Sequence, residues 1–415
     1  MWENEHAKTE TSPAGTAQHP SRRRVLGALG ASTAAAAVPT LLGTQSANAS
    51  TGANASTGAT PEPLYIGTWR GTQVNGAWFD PDSGSMTPFG IAAQVNAGWH
   101  TKHPSKPVLY VASGDAGGTV SAFRIDRTTG GLDLIGQVTT DSAGTPGGLS
   151  YIGIDKPSDT VLATNFAAGL TAAVPIRRDG GLDAPASIVV DTGSGPNPRQ
   201  TSPHPHHVVV DPSGRFALVA DFGADRVFIY GFNRETRALS ADDTTGAPFY
   251  ATNPGSGPRR LLFHPNGRNL YLLNELTADL QLLDWSPRHG RITLNQSLSI
   301  DSPEYTGTKS GAELRLSGDG RFVYASSRGE NTLVVYAANP GNGRLTLVQR
   351  IPCDGPWSFS IHPSNRWMLV ANQVGSSVHL FSIDPLSGKL TDTGQSMPIP
   401  NPDCITFGRD ADHSS

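Results

Sequence analysis

Four side chains that could carry acid–base and anion-binding chemistry stand at two fixed distances from a recurring apolar segment. His206 and Arg259 each precede the centre of such a segment by twelve residues, and Glu275 and Arg328 each follow one by four. An imidazole titrates near neutral pH and can take a proton from water. Guanidinium groups bind carboxylates and oxyanions through several hydrogen bonds. The combination predicts a site for an anionic substrate that undergoes proton transfer.

The apolar segments that set these distances form a repeat along the chain. Each is followed by an alternating apolar and polar segment, such as residues 226–230, and turns rich in Gly, Pro, Asp and Asn separate them. Repeats of this length are typical of four-stranded propeller blades. The sequence therefore predicts an all-β, seven-bladed β-propeller. The seven segments are centred, 45 to 56 residues apart, on the anchor residues Tyr65, Tyr110, Leu162, Leu218, Tyr271, Tyr324 and Leu369.

The two ends of the repeat complement each other. The first repeat begins directly at its anchor segment and lacks the apolar segment that precedes the anchor elsewhere. Residues 402–407 resemble residues 258–263 and have no anchor segment after them. We therefore expect the C-terminal segment to supply the inner strand of the first blade. Such closure would remove an unpaired sheet edge.

Equivalent positions in the repeats identify the residues that face the central channel of a propeller. Column one, twelve residues before the anchor, contains Gly98, Ser150, His206, Arg259, Ala312 and Trp357, with Asp403 as the C-terminal equivalent. Column two, four residues after the anchor, contains Trp69, Gly114, Phe166, Phe222, Glu275, Arg328 and Gln373. A purely structural column should hold similar residues in every blade, whereas these change from Gly to aromatic to charged. We infer that the blades contribute different groups to one pocket.

Four further residues in or beside the columns are candidates for substrate binding: Arg199, Glu313, Trp357 and Gln373. The main candidates also have structural interpretations. His206 could cap a strand, and Arg259 could be a solvated charge at the rim. Glu275 with Arg328 could form an ion pair between blades.

Other chemistries find less support in the sequence. His204, His206 and His207 could bind a metal, but adjacent residues on a strand point to opposite faces. No phosphate-binding loop, dinucleotide fingerprint or Gly-x-Ser-x-Gly motif occurs. Cys353 and Cys404 lack a basic neighbour in either column, so we expect packed thiols rather than nucleophiles. We expect neither a metal nor a cofactor.

Composition and the N-terminal residues bear on location and partners. A net charge of -4 and a pI near 6.3 give no excess of positive charge that would indicate binding of nucleic acid. Arg22 to Arg24, a mildly apolar run and Ala47-Asn48-Ala49 are typical of a twin-arginine signal peptide, and the run is too weakly hydrophobic to span a membrane. We expect a signal peptide over 1–49, a flexible linker over 50–62, the propeller over 63–408 and a disordered tail over 409–415. The protein would be secreted through the twin-arginine translocase.

Short segments distributed from about residue 64 to residue 407 resemble the propeller lactonase family, which includes bacterial 6-phosphogluconolactonases and fungal carboxy-muconate lactonising enzymes. They are Leu64-Tyr65-Ile66-Gly67-Thr68, Pro203-His204-Pro205-His206, Gly257-Pro258-Arg259, Leu273-Asn274-Glu275 and Ser326-Ser327-Arg328-Gly329. The resemblance implies that the channel residues His206, Arg259, Glu275 and Arg328 form the active site. The chain departs from the family at Trp357, where an arginine is common.

The sequence thus predicts a monomeric enzyme that hydrolyses a small sugar-acid or related lactone, with His206 or Glu275 as general base and Arg259 and Arg328 stabilising the oxyanion. Export and Trp357 favour a substrate without a phosphate. Two alternatives remain: cycloisomerisation of a carboxy-muconate, and an exported propeller that binds a partner without catalysis.

Overall fold

Seven antiparallel sheets form the described part of the chain, which comprises residues 60–114, 118–141, 148–241 and 248–408 of the computed structural model. Besides strands, these residues contain one short 3₁₀ helix, Lys156–Ser158. None of their helices is long and apolar enough to cross a membrane. The predicted signal peptide and the predicted tail lie outside the described residues, as does most of the predicted linker.

The strands follow the predicted repeat, and within each blade they run from the innermost to the outermost in the order given. The first blade contains β29 (Pro402–Phe407), β1 (Glu62–Thr68), β2 (Val74–Phe79) and β3 (Met86–Ala93); the second contains β4 (Trp99–Lys102), β5 (Val108–Ala112), β6 (Thr119–Ile125) and β7 (Leu132–Thr139). The third contains β8 (Leu149–Asp155), β9 (Thr160–Asn165), β10 (Leu170–Pro175) and β11 (Ser187–Val190). The fourth contains β12 (Pro205–Val210), β13 (Phe216–Asp221), β14 (Arg226–Asn233) and β15 (Ala238–Ser240), and β16 (Phe249–Ala251) also pairs with β14.

The last three blades have the same order. The fifth contains β17 (Pro258–Phe263), β18 (Asn269–Asn274), β19 (Asp279–Ser286) and β20 (Arg291–Ser299); the sixth contains β21 (Gly311–Leu316), β22 (Phe322–Ser327), β23 (Thr332–Ala338) and β24 (Leu345–Pro352). The seventh contains β25 (Pro356–Ile361), β26 (Trp367–Asn372), β27 (Ser377–Ile383) and β28 (Leu390–Pro398). The innermost strands contact one another around the ring, from β4 through β29 and back to β4. The predicted seven-bladed propeller is confirmed.

The predicted closure by the C-terminal segment is confirmed as well. β29 pairs antiparallel with β1, in a register that places Phe407 opposite Leu64 and Cys404 opposite Gly67. The first blade therefore combines the two ends of the described chain, and the inner edge of β1 is paired rather than exposed.

The anchor residues join each blade to the next. All seven lie on the second strand of their blade and are buried. Where the anchor is a tyrosine, its hydroxyl donates to the carbonyl of a glycine in an outer turn of the following blade. The four bonds are Tyr65 to Gly130 (3.1 Å), Tyr110 to Gly180 (2.9 Å), Tyr271 to Gly343 (2.7 Å) and Tyr324 to Gly388 (3.0 Å). Each of these glycines has a positive φ between 68° and 88°, a conformation that only glycine adopts freely.

We expect Tyr271→Phe to lower the free energy of unfolding by about 1 kcal/mol, because the buried Gly343 carbonyl loses its donor. Denaturant titration of both proteins measures the difference. Tyr305→Phe is the control, since its hydroxyl bonds Thr308 within one surface loop, and we expect almost no change there. Equal effects of the two substitutions would contradict the role of the anchor hydroxyl.

Candidate active site

A repeated β-bulge positions the residues of column one. On β12 the pairing with β13 passes from Pro205 directly to His207, so His206 is the extra residue. Arg259 on β17 and Trp357 on β25 occupy the same place in their blades. A bulged residue leaves the regular ladder and its side chain is redirected. The bulge therefore turns column one toward the mouth of the channel, the end at which the inner strands begin.

Column two lies at the same end, directly after the second strand of each blade. A backbone hydrogen bond links four of its members to the residue two places before column one: Phe222 N to His204 O (2.9 Å), Glu275 N to Gly257 O (2.7 Å), Arg328 N to Ser310 O (2.8 Å) and Gln373 N to Gly355 O (3.0 Å). The two columns predicted from the repeat therefore come together at one mouth.

The carboxylate of Glu275 lies at the centre of three arginines. Its Oε1 accepts from Arg199 Nη2 at 2.8 Å, and its Oε2 accepts from Arg259 Nε at 3.0 Å. Arg328 Nη2 lies 3.2 Å from the same Oε2. Arg259 also donates to the carbonyl of Ala312 in the next blade. One acidic group thus orients cations from the fifth and sixth blades and from the loop before β12.

The arginines determine the charge state of this carboxyl group. Glu275 is only 3% exposed, and burial alone would raise its pKa. The charges of Arg328, Arg199 and Arg259 outweigh burial and lower the pKa of Glu275 to about 2. Burial and the neighbouring arginines lower the pKa of Arg259 to about 9, so it remains charged at neutral pH. Three positive charges therefore face one negative charge.

Arg199 comes from a loop that a second buried carboxylate holds in place. Asp225 accepts from Gln200 Nε2 at 2.7 Å and from the backbone N–H groups of Gly255 and Gly257 at 2.6 and 2.8 Å. The Arg199 guanidinium packs over the ring of Phe222, 4.7 Å from its centroid. Arg199 is the most exposed of the three arginines, which suits a group at the entrance.

An aromatic pair covers the other side of the cluster. The Arg328 guanidinium lies 4.2 Å from the ring centroid of Trp357, a cation–π contact. The rings of Trp357 and Trp69 are 5.2 Å apart, and both side chains are half-buried. The mouth therefore has a cationic wall and an aromatic wall that meet at Arg328.

His206 contributes an uncharged imidazole. Burial, followed by the charges of Arg259 and Arg260, holds the pKa of His206 well below its ordinary value of 6.5. Its ring meets Phe166 edge to face at 5.8 Å. Among the described residues its Nδ1 has no hydrogen-bond partner. An uncharged imidazole can accept a proton. Among the described residues no carboxylate forms a hydrogen bond with Nδ1 of this ring.

Comparisons with known proteins agree with this architecture. Residues 63–407 match the family described as Lactonase, 7-bladed beta-propeller. The chain belongs to this family. It is 27% identical over 350 residues to 6-phosphogluconolactonase of Bacillus subtilis, covering 83% of this chain and 97% of that protein. The solved structure of the periplasmic gluconolactonase of Pseudomonas aeruginosa is similar at 31% identity with a TM-score of 0.76, covering 84% of this chain and 99% of that one. A 6-phosphogluconolactonase of Serratia proteamaculans is 28% identical, covering 70% of this chain and 81% of that protein.

In this member of the lactonase family, Glu313 lies beneath the mouth rather than in it. Its Oε2 is 3.2 Å from Arg260 Nη2, and its Oε1 is 3.5 Å from Arg315 Nε. Arg260, from the fifth blade, reaches across the channel to pack 4.3 Å from Trp99 of the second blade and 5.2 Å from Tyr151 of the third. Glu313, Arg260, Trp99 and Tyr151 belong to one layer, the channel floor. Its members directly follow column one and are Trp99, Tyr151, His207, Arg260, Glu313, Ser358 and Cys404. Sequence reasoning placed Glu313 beside the substrate and did not anticipate the floor.

Two other residues at the mouth retain unpaired polar atoms. Gln373, expected to bind substrate, is half-buried, and its Nε2 has no hydrogen-bond partner among the described residues. Both carboxyl oxygens of Asp403, the column-one residue of the first blade, likewise lack a partner in that part of the chain. Burial raises the pKa of Asp403 well above its ordinary value. The position of Asp403 in column one follows from the repeat, whereas the rise of its pKa depends on burial, which the repeat does not give.

The thiols and histidines show no arrangement for metal or thiolate chemistry within the residues described. Cys353 and Cys404 are free and buried, and burial raises the pKa of both. No group of three or more His, Cys, Asp or Glu side chains within the same residues could hold a metal ion. His204 stacks on Phe166 and bonds its carbonyl through Nδ1 at 2.7 Å.

We expect Glu275→Gln to lower the free energy of unfolding by about 3 kcal/mol at neutral pH, because three arginines lose their buried counter-charge. The folded-state pKa of about 2 lies below the ordinary 4.5. The carboxylate therefore stabilises the fold above pH 4.5 and less as pH falls toward 2. Denaturant titrations at several pH values should show the difference between the two proteins shrinking in acid.

Asp319→Asn provides the matched control, because its carboxylate pairs with Arg321 at the surface and exposed pairs contribute little. A loss at Glu275 no larger than at Asp319 would contradict the central role of the Glu275 carboxylate.

Asp403→Asn should have the opposite effect on stability. Because its pKa is raised in the folded state, the wild-type protein loses stability as pH rises above the ordinary value of 3.8, and the amide variant does not. We expect the variant to melt roughly 1–4 °C higher at pH 7 and at the same temperature near pH 3.5. Thermal denaturation between pH 3.5 and pH 7 measures the difference in Tm between the two proteins. Asp133→Asn, at an exposed position, is the control. A lower Tm for the variant at pH 7 would refute a neutral Asp403.

Proposed function

We propose that the protein hydrolyses a small sugar-acid or related lactone at the mouth of its channel. The observation that carries the proposal is the uncharged His206 near Arg259 and Arg328, two of the three arginines centred on Glu275. Membership of the lactonase family and relatives named as 6-phosphogluconolactonase and gluconolactonase support the same reaction class.

In the proposed mechanism His206 is the general base. It takes a proton from water as the water oxygen attacks the lactone carbonyl carbon, and Arg259 and Arg328 stabilise the negative charge that develops on the carbonyl oxygen. The bond between the carbonyl carbon and the ring oxygen then breaks, and the ring oxygen receives the proton from His206. Glu275 is a weak base because its pKa is about 2, so its part is to hold the arginines. No step requires a metal or a cofactor.

The aromatic wall supports a substrate without a phosphate group. Trp357 covers one face of Arg328 and leaves less of that guanidinium free to bind a dianion. The paired rings of Trp357 and Trp69 offer an apolar surface to the C–H groups of a sugar-acid lactone. Arg199 and Gln373 would contact its hydroxyl groups.

Location and assembly form part of the same proposal. The N-terminal arginines and the Ala47-Asn48-Ala49 segment support export through the twin-arginine translocase, and we propose that the exported protein acts as a monomer. A substrate outside the cytoplasm would fit the preference for unphosphorylated lactones.

We expect purified protein to accelerate the opening of unphosphorylated aldonolactones more than that of 6-phosphogluconolactone, measured by pH-stat. His206→Gln should lower kcat/KM by about 10²–10⁴-fold, because the general base is lost. The exposed His289→Gln is the control and should have no effect. In the wild type, kcat/KM should rise with pH to a plateau whose inflection lies below 6.5, since the pKa of His206 is lowered.

Two outcomes would decide against this proposal. If no lactone in the panel opens faster than in buffer, the chain is a binding protein. If carboxy-muconates are turned over and lactones are not, the three arginines hold substrate carboxylates and the reaction is a cycloisomerisation. An unchanged rate in His206→Gln would exclude His206 as the base.

A further inference from the structure

A third set of equivalent positions lines the channel three residues beyond column one. Because the inner strands run in the same direction, this set, column three, lies about 10 Å below the mouth. Its polar members belong to four consecutive blades, from the sixth through the seventh and first to the second. The set consists of Thr101, Gly153, Val209, Leu262, Arg315, Ser360 and Thr406.

A cavity of about 240 Å³ lies against these polar members. Arg315, Ser360, Thr406 and Thr101 all line it, and Trp99 of the channel floor forms its upper side. Trp99 and Tyr151 of the floor line this space, and none of the mouth residues His206, Glu275 and Arg328 does. The volume is below the roughly 300–1,000 Å³ of sites for drug-sized ligands, so it suits a smaller molecule.

The guanidinium of Arg315 lacks the acceptors that such a group requires. It forms no hydrogen bond with any described residue, and its one ionic neighbour is Glu313, 3.5 Å from its Nε. Glu313 also pairs with Arg260, so two guanidinium charges share one carboxylate. The side chain of Arg315 is 36% exposed, which leaves its terminal N–H groups accessible from the cavity. Fixed, unpaired guanidinium donors favour a carboxylate or another oxyanion.

A second unpaired group comes from His100, which also lines the cavity. The residue is 2% exposed, and its Nε2 has no hydrogen-bond partner among the described residues. Its Nδ1 lies 2.8 Å from Thr406 Oγ1, so the ring is fixed by the first blade. Burial lowers the pKa of His100 to about 3, and the imidazole is uncharged at neutral pH. Its Nε2 is closed off from solvent, so the ring forms part of the cavity wall and adds no charge to it.

We propose that this lower cavity is a second ligand site, distinct from the mouth, that binds a small hydroxylated monocarboxylate. The guanidinium of Arg315 binds the carboxylate, and the hydroxyls of Ser360 and Thr101 contact the ligand's hydroxyl groups. A single carboxylate matches the positive charge that Glu313 leaves uncompensated. Lys102 also lines the cavity, but its Nζ donates to the backbone carbonyls of His103 and Lys106.

Trp99 provides a reporter for binding, because it lines the cavity and its ring lies 5.9 Å from the Arg315 guanidinium. The full chain is labelled with 5-fluorotryptophan, and Trp99→Phe assigns the Trp99 signal in fluorine NMR spectra. D-gluconate, inorganic phosphate and uncharged glucose are titrated separately. We expect gluconate to shift the Trp99 signal in a saturable way, phosphate to bind more weakly, and glucose to have no effect. Binding is measured without turnover, so the result does not depend on lactonase activity.

Four variants distinguish the lower cavity from the mouth. Arg315→Met should weaken gluconate binding at Trp99 by about tenfold or more, since a charged hydrogen-bonding group is lost. Arg328→Met alters the mouth, and Arg321→Met removes an exposed arginine of the same blade; both should leave the Trp99 titration unchanged. Arg315→Lys keeps the positive charge but loses the planar guanidinium group with its several donors, so it should bind gluconate with intermediate affinity. This variant tests the site even if Arg315→Met is poorly folded.

The proposal is overturned if gluconate does not move the Trp99 signal in the wild type, or if both Arg315 variants bind as tightly as the wild type. Tighter binding of phosphate than of gluconate would overturn the carboxylate as ligand. Loss of the titration in Arg328→Met would place the gluconate at the mouth and would also overturn the proposal.

Discussion

Closure of the ring is the constraint on which every other feature of the channel depends. β29 and β1 come from opposite ends of the described chain, yet they form the inner half of one blade. Side chains connect that blade to both neighbours: Glu62 lies 2.6 Å from His362 of the seventh blade, and Thr406 lies 2.8 Å from His100 of the second. The contact between Trp69 and Trp357 at the mouth crosses the same junction. Without β29 the lower cavity would lose Ile405, Thr406 and Phe407 from its lining.

A single backbone repeat produces three levels in the channel, and the side chains alone distinguish them. Column one is turned to the mouth by the bulge, the next position forms the floor, and column three lines the cavity below. At each level, blades that share a backbone supply side chains of different size and charge. Arg260 is long enough to reach Trp99 across the channel. The ion pair of Arg260 and Glu313 therefore belongs to the layer between column one and column three.

The sequence was sufficient for the blade count, the closure and the two columns, because each follows from a period and a count of residues. The sequence could not predict contacts that depend on how far a side chain or a loop extends from its own strand. Arg199 enters the site from a loop held by Asp225, and nothing in the repeat predicts that loop's conformation. The tyrosine anchors were recognised as apolar, whereas the bond from Tyr271 to Gly343 links residues 72 positions apart. Glu313 was predicted to contact substrate because its neighbour in the chain lies in column one, but one step along an inner strand is the distance between mouth and floor.

The charge of Glu275 connects the architecture to the choice of base. A carboxylate that is 3% exposed would ordinarily be neutral and could shuttle protons, as raised-pKa carboxyl groups do. Here three arginines reverse that effect, and the carboxylate becomes a fixed anion that gains nothing from taking a proton. The pKa of His206 is lowered mainly by burial and then by the charges of Arg259 and Arg260, so the imidazole is unprotonated at neutral pH. His206 is the base in the proposed mechanism because its ordinary pKa of 6.5 lies above the 4.5 of a glutamate. Positive charge around the site therefore lowers the pKa of both groups. The excess of positive charge that does this is also what an oxyanion formed at the mouth would neutralise.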